Sequence, residues 1–357
     1  MNFKVISVML ILLFFGSFLF AQNKVEAEDL VREGIVLHDN GDFGSSLSKY
    51  DKALKLDKDN LFALIEKGVT LLAMHKYEET IKYSQKAITT YPDDEGLSVV
   101  YVTYGNAADG LKQSDRAIEI YDEGLAKFPQ FYQLHYNKGV SLSNTGRLEE
   151  ALSSFKKAIL LNPNHAGSHY AIARISAFNN QRMCALLAFW RCLSLEPEGS
   201  RAKENLENSI TLMNANVKQA SRDSIIVYHM PETNVDALKN KKPTADNFEL
   251  TDLMVSLEAA RDYDPQFKHE TEVQKYKRKL ESVCLSLIST KGDNYGFFWE
   301  YYAPYFMEMQ EKKFVEAFTH FAFIASGDDE AINWINANNA QLESFLNWSV
   351  SFEWKAE

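Results

Sequence analysis

The sequence predicts an all-α fold of stacked helix hairpins followed by a divergent helical C-terminal domain. Three observations predict it. Residues 27 to 199 repeat one pattern of small and large apolar positions every 34 residues, with one three-residue insertion at 95–97, and 34 residues is the length of a helix hairpin. Within each copy the apolar residues recur at i, i+3 and i+4, the spacing of one helix face. Only eight prolines and sixteen glycines occur among 357 residues, as a helical chain requires.

Each copy carries a small residue in both helices and large apolar residues between them. The clearest copy has Gly139 in its first helix, Ala151, Phe155 and Ala158 in its second, and Pro163 after it. Small residues let the helices approach closely, and proline ends the second helix because its ring removes a backbone donor. The small first-helix residues are Gly34, Gly68, Gly105, Gly139 and Ala173. The predicted copies span 27–60, 61–94, 98–131, 132–165 and 166–199, and a closing helix spans 200–213.

This pattern resembles the tetratricopeptide repeat, whose first helix reads W-x2-L-G-x2-Y and whose second reads A-x3-F before a proline. The resemblance implies a right-handed solenoid whose first helices line a concave groove, where peptides commonly lie. Carrying the inward-facing positions of the family over to this chain predicts the residues of a peptide-binding groove. They are Ile65, Val69, Asn106, Tyr136, Asn137, Tyr170, Arg174 and Phe178.

The predicted groove has a mixed chemistry. Members of the family that bind chaperones hold a C-terminal carboxylate with Lys, Asn and Arg side chains. Here Asn106, Asn137 and Arg174 are suitably placed, but Ile65 and Val69 stand where lysines would be needed. The resemblance therefore favours an apolar or mixed protein segment over a free carboxylate. The alternative is a groove that is merely solvated, or covered by the C-terminal domain of the chain itself.

Residues 1–21 predict a signal peptide. Lys4 gives a positive start, Val5 to Phe20 form an apolar run, and Ala21 is a small residue before a cut at Gln22. The run is shorter than the ~20 residues of a membrane-spanning helix, and an uncleaved N-terminal anchor is the alternative. We therefore expect an exported chain, periplasmic in a Gram-negative type of envelope or secreted, with no stable membrane span after cleavage.

The pattern lapses after the closing helix. Residues 214–247 predict a connector, in which the apolar run from Ile225 to Tyr228 suggests an isolated strand or a strap against the array. Residues 248–357 predict a helical domain with one long helix over Phe267 to Thr290. From Lys291 to the end, 17 of 67 residues are aromatic, and 299–324 repeats the hairpin spacing in degenerate form. Rings at helical spacing usually form a core, although they also stack on sugars or apolar ligands.

Charge and missing motifs restrict the function. A formal charge of −11 without a Lys/Arg block argues against nucleic-acid binding and against docking on anionic lipids. No catalytic constellation or phosphate loop occurs, and His165 and His169 lack the further ligands of a zinc site. Cys184, Cys192 and Cys284 are not spaced as a disulfide framework and are expected to be buried. We expect no enzyme, no cofactor and no metal.

Two hypotheses follow for the function. The leading one is a non-enzymatic scaffold or adaptor that binds a protein or peptide segment in the groove of an exported protein. The alternative makes the array a structural arm and residues 248–357 a dimerisation or small-ligand-binding module, through which the chain forms a homodimer.

Overall fold

The computed structural model describes residues 22–221, 224–227 and 244–355, and it confirms the all-α fold class. The first hairpin consists of α1, over residues 22–39, and α2, Phe43–Leu56. The following hairpins consist of α3 (Leu61–Ala73) and α4 (Tyr77–Thr90), α5 (Leu97–Gly110) and α6 (Ser114–Lys127), α7 (Tyr132–Asn144) and α8 (Leu148–Leu161), and α9 (Ala166–Phe178) and α10 (Arg182–Leu195). A closing helix, α11 (Ser200–Asn214), follows the fifth hairpin.

One type of turn joins the two helices of each hairpin. A single residue adopts a left-handed backbone conformation, and the next N–H donates to the carbonyl five residues earlier, as Gln113 does to Ala108 at 3.0 Å. This is the hydrogen-bond pattern that satisfies the last carbonyls of a helix. The left-handed residues are Gly41, His75, Lys112, Gly146 and Asn180.

Glycine is required by the packing at two of the predicted small positions of the first helices, and it is not required at a third. A Cβ on Gly34 or Gly105 would overlap the ring of Tyr50 or Tyr121 on the second helix of the same hairpin. At Gly68 a larger residue would fit, because a Cβ there would lie at an ordinary contact distance of 3.8 Å from its nearest neighbour. The residue that replaces the tyrosine in that hairpin is Ser84, which leaves room.

The chain forms two compact units, one ending at Ser154 and one starting at Phe155. In the first unit, α5 packs against α3, α4, α6 and α7. Its core contains the buried side chains of Tyr101, Ile120 and Tyr121, and Leu134 at the start of α7. Each successive helix pair therefore buries the apolar face of its neighbour.

The connector contains a short β-hairpin, so the apolar run after residue 224 is not an isolated strand. Strand β1 (Val217–Ser221) pairs antiparallel with β2 (Ser224–Val227), with Val217 opposite Val227. Tyr228 and the segment 240–243 lie outside the described residues, as do residues 1–21 with the predicted signal peptide.

The C-terminal part is helical. Its helices are α12 (Glu249–Ala260), α13 (Glu272–Thr290), α14 (Ala303–Glu311), α15 (Val315–Phe323), α16 (Asp329–Ala337) and α17 (Asn339–Ser351), with a π-helix at Phe298–Tyr302 before α14. Lys313 repeats the left-handed turn of the hairpins between α14 and α15, which is the stretch of the predicted degenerate copy.

The long helix begins later than the sequence pattern suggests. Helix α13 starts at Glu272, whereas residues 265–267 form a separate 3-10 turn that starts at Pro265. Thr271 and Gln274 form a capping box, in which each side chain accepts a hydrogen bond from the backbone of the other. That reciprocal cap satisfies two free donors and fixes the helix start.

Within the second unit, the C-terminal helices pack on the fifth hairpin. Every side chain from Arg182 to Ser194 of α10 is buried, against α9, α11, α12, α15 and the π-helix. The predicted domain limits at residues 213 and 247 stay predictions. Helices α10 and α11, which precede these limits, pack against α12, which follows them. Cys184, Cys192 and Cys284 are free and buried, as expected.

Within the described ranges, no helix has both the length and the apolar composition that crossing a membrane requires.

Candidate functional site

The eight predicted groove residues lie on the first helices of four hairpins. Five of them belong to the first unit, on α3, α5 and α7, where α5 contacts both of the other helices. Three belong to the second unit, on α9. We call the surfaces that carry them the first-helix faces of the two units.

The first-helix face of the first unit is apolar on α3 and α5. Ile65 and Val69 are half-buried. Phe62 lies one turn before Ile65 and is 65% exposed, and Val99 occupies the same position in the next hairpin with 40% exposed. Sequence reasoning missed both, although their i−3 relation to face residues was a usable signal. Two large apolar side chains thus stand in water beside half-buried aliphatic ones.

The amides of this face are engaged within the chain. Asn106 accepts a hydrogen bond from the Tyr121 hydroxyl at 2.7 Å, and burial raises the pKa of Tyr121, which keeps that hydroxyl protonated. Asn137 Nδ2 donates to the Gln133 carbonyl at 2.8 Å. Tyr136 is half-buried. Since these amides already have partners, they are weaker candidates for gripping a carboxylate than their positions suggest.

Two lysines of the first helices form ion pairs with neighbouring helices. Lys67 pairs with Asp51 of the preceding hairpin and donates to the Tyr83 hydroxyl at 2.7 Å. Lys138 stands 2.5 Å from Asp122 with the same sequence separation of 16 residues. Each pair connects the second helix of one hairpin to the first helix of the next. The two ammonium groups therefore stabilise the stacking of the hairpins.

The first-helix face of the second unit combines a ring with a guanidinium. Phe178 is 74% exposed, and Arg174, one turn earlier, is also exposed. The Arg174 guanidinium lies 5.6 Å from the centre of the Tyr170 ring, whose hydroxyl donates to Glu204 at 2.8 Å. The C-terminal helices leave these two side chains exposed, so within this unit they do not cover the face.

A buried polar network on α10 was not predicted. Arg182 donates to the carbonyls of Leu212 and Met213 at 2.7 and 2.9 Å and to Ser256 at 2.8 Å. Its guanidinium lies 3.3 Å from Asp252. Charged residues on a second helix normally face water, and the packing of α11 and α12 shows that this one does not.

Arg191 is fully buried among aromatic rings. Its guanidinium lies 4.7 Å from the centre of Trp354 and 5.1 Å from Tyr305, and it donates to Ser349 at 3.1 Å and Asn164 at 2.8 Å. Many C-terminal rings, Trp299 and Phe306 among them, are buried, as the helical spacing predicts. Arg191 therefore holds the C-terminal segment to α10.

The two close histidines serve the fold. His169 is fully buried; its Nε2–H donates to the Pro163 carbonyl at 2.9 Å, and its Nδ1 accepts from the Tyr302 hydroxyl at 2.7 Å. Burial, with a contribution from Arg191, lowers the pKa of His169 to about 3. His165 caps α9 by accepting from the Ser168 N–H. No group of three His, Cys, Asp or Glu suited to a metal occurs in the described part of the chain.

Comparison with known proteins identifies the repeat. The tetratricopeptide repeat family model matches residues 132–165, which span α7 and α8. The chain is similar to protein O-mannosyl-transferase TMTC1 of Homo sapiens, with 33% identity over 185 residues that cover 51% of this chain and 21% of that protein. It is also similar to Hsp70-Hsp90 organizing protein 3 of Arabidopsis thaliana, with 24% identity covering 56% of this chain and 39% of that protein. The match thus spans from about a fifth to two fifths of the length of these relatives.

Among solved structures, the chain is similar to YrrB, described as a TPR protein with an unusual peptide-binding site. The identity is 22%, the TM-score 0.39, and the match covers 52% of this chain and 95% of that one. It is also similar to Pseudomonas aeruginosa pilF, with 16% identity and a TM-score of 0.49, covering 54% of this chain and 86% of that one. The family model establishes a tetratricopeptide repeat at residues 132–165.

Proposed function

We propose that this chain is a non-enzymatic scaffold that binds a segment of another protein on its first-helix faces. The observation that carries the proposal is the exposure of large apolar side chains there, Phe62 and Val99 in the first unit and Phe178 in the second. Exposed rings next to half-buried aliphatic residues are the usual anchors of a protein interface.

The chemistry of the faces favours an extended or helical segment with apolar anchors over a free carboxylate. Asn106 and Asn137 make hydrogen bonds within the chain. Lys67 and Lys138 pair with acidic residues of neighbouring helices. Arg174 is exposed beside Phe178 and suits a segment that places an acidic or aromatic residue near its apolar anchor.

The proposal includes no catalysis. The similarity to the O-mannosyl-transferase covers 21% of that protein, so no transferase activity is carried over to this chain. The proposal also places the protein outside the cytoplasm, on the pattern of residues 1–21. The alternative function, a C-terminal dimerisation or small-ligand module, predicts a different outcome in the experiment below.

Affinity capture from the native cell, with quantitative mass spectrometry, tests the proposal. We expect the full-length chain to enrich a defined set of proteins, and the double variant Phe62→Ser with Val99→Ser, or Phe178→Ser, to lose it. Val350→Ser is the matched control, because Val350 of α17 is exposed to a similar degree but lies outside both faces. Loss of the set in Val350→Ser, with retention in the face variants, would favour the C-terminal module instead.

A further inference from the structure

The second unit contains an open groove apart from the first-helix faces. It lies along α12 and α13 and has a volume of about 1530 Å³. Its walls carry Met254 and Leu257 from α12 and Leu285 and Ile288 from α13. These four side chains are 37% to 51% exposed, an unusual concentration of large apolar side chains in water.

The groove is held in shape by contacts beneath and beside it. Trp299 and Phe248 are buried and stack with ring centres 4.4 Å apart, and Trp299 Nε1 donates to the Asn247 carbonyl at 2.9 Å. Ser286 of α13 donates to Thr251 of α12 at 3.1 Å. The two walls are thus fixed to each other, and a partner would meet a preformed surface.

The spacing of the wall residues suits a helix. Leu250, Met254 and Leu257 follow i, i+4, i+7 on one wall, and Leu285 and Ile288 follow i, i+3 on the other. A third helix with apolar residues at i, i+3, i+4 and i+7 fits between two such stripes. A strand gains less, because the helical walls use their backbone N–H and C=O groups internally and offer it no ladder.

The charges of the groove select a basic partner. Arg261 pairs with Glu258 at 2.8 Å, and Arg278 pairs with Glu258, Asp262 and Glu270 at 3.0, 2.7 and 2.8 Å, so both guanidinium groups already have acidic partners. Among the described residues, the carboxylates of Glu281 and Asp293, which also line the groove, have no ion-pair partner. A second copy of the chain is disfavoured as the occupant, because each copy carries a formal charge of −11.

We propose that the groove between α12 and α13 is a second docking site, which takes a basic amphipathic helix from a partner protein. The apolar face of that helix lies on Met254, Leu257, Leu285 and Ile288, and Lys or Arg side chains at its edges reach Glu281 and Asp293. The site lies within the second unit and acts without the side chains of the first-helix faces.

A designed peptide probes the site directly. It is a helix of about 15 residues, enough to cover the 12 residues of α12, with leucines at i, i+3, i+4 and i+7 and lysines on both flanks. Its partner peptide carries glutamates in place of the lysines. A fluorophore on Ser289→Cys of the full-length chain reports binding, and labelling is selective because Cys184, Cys192 and Cys284 are buried.

We expect the lysine peptide to bind and the glutamate peptide to bind at least about tenfold more weakly, with the difference shrinking as salt is added. The pair Leu257→Ser with Leu285→Ser should weaken the lysine peptide at least about tenfold. Glu281→Gln with Asp293→Asn should weaken it severalfold at low salt. Val350→Ser and Glu311→Gln, which change exposed residues outside the groove, should bind as the unchanged chain does.

Three results would overturn the proposal: equal binding of both peptides, binding unaffected by the groove variants, or a dimer of the unchanged chain that Leu285→Ser abolishes. Circular dichroism melts establish that each variant is folded, and the carboxylate pair, which removes no apolar contact, decides the question if the serine pair does not fold. Phe62→Ser with Val99→Ser should leave peptide binding intact, so failure here is distinct from failure of the first-helix faces.

Discussion

Two glycines of equivalent position show how single residues set the packing of this chain. Gly105 lies against the ring of buried Tyr121, whereas Gly68 faces Ser84 and has room for a methyl group. The 34-residue pattern marks both as small positions, but only the structure shows which neighbour fills the space. The size of the facing side chain decides whether a glycine is required.

Gly105→Ala should destabilise the protein by about 1–3 kcal/mol, because the new methyl group overlaps the buried ring of Tyr121. Gly68→Ala should stabilise it by about 0.5–1 kcal/mol, through the lower conformational entropy of the unfolded chain. Urea unfolding followed by circular dichroism measures both. Equal effects of the two changes would contradict the packing of Tyr121.

His169 gives the fold a pH dependence. Burial lowers its pKa to about 3 in the folded chain, whereas the unfolded imidazole takes up a proton near pH 6.5. The stabilisation by this group is therefore complete above pH 6.5 and is lost as the pH falls towards 3, by up to about 1.4 kcal/mol per pH unit.

The free energy of unfolding of the unchanged chain should fall more steeply between pH 6 and pH 4 than that of His169→Gln. The equivalent histidine of the preceding hairpin, His135, is half-buried and also forms a hydrogen bond with a proline carbonyl. His135→Gln is therefore the matched control, and its free energy of unfolding should fall with pH as steeply as that of the unchanged chain. Parallel curves for the unchanged chain and His169→Gln would refute the role of His169.

At the scale of the elements, the repeat pattern predicted the helices of the hairpins well. It predicted the C-terminal helices less well. A period of 34 residues fixes where each turn falls, and the same left-handed turn recurs at Gly41 and at Lys112. The start of α13 was misjudged because apolar periodicity extends back to Phe267, while Pro265 and the cap at Thr271 interrupt it.

The helices that carry the predicted groove residues could be predicted, but the hydrogen-bond partners of these residues could not. The resemblance to the repeat family placed Ile65 and Arg174 on first helices. It did not show that Asn106 and Asn137 are engaged, or that Arg182 is buried, because these depend on contacts such as the one to Ser256, 74 residues away. Long-range packing is not encoded in local spacing.

The shared turn yields a prediction for one element. Lys112 has a φ of 65°, a conformation that costs a residue with a side chain about 1–2 kcal/mol and glycine much less. Lys112→Gly should therefore stabilise the chain by about 1 kcal/mol. Lys52→Gly, within α2, should destabilise it by a similar amount, because glycine weakens a helix interior. Thermal unfolding measures the stability of both variants. A loss of stability in both would contradict the left-handed backbone conformation of Lys112.

At the scale of the whole molecule, the structure describes two compact units, each with an exposed first-helix face. In the second unit, the C-terminal helices bury α10 and leave Arg174 and Phe178 exposed. The same helices form the groove along α12 and α13. The aromatic C-terminal third thus completes the fifth hairpin and adds a surface of its own.

Export is a further expectation at this scale. If residues 1–21 are a cleaved signal, N-terminal sequencing of the protein from its native cell should begin at Gln22, and the protein should fractionate outside the cytoplasm. A chain that keeps Met1 and sediments with membranes would support the uncleaved anchor instead.

The central claim is that the first-helix faces bind a protein segment, and site-specific photo-crosslinking in the native cell tests it most directly. A photoreactive phenylalanine analogue replaces Phe62 or Phe178, both of which are exposed, and Val350 is the control position. We predict that both face positions form adducts with another polypeptide and that position 350 does not. Adducts at position 350 alone, or the absence of adducts at 62 and 178, would contradict the account.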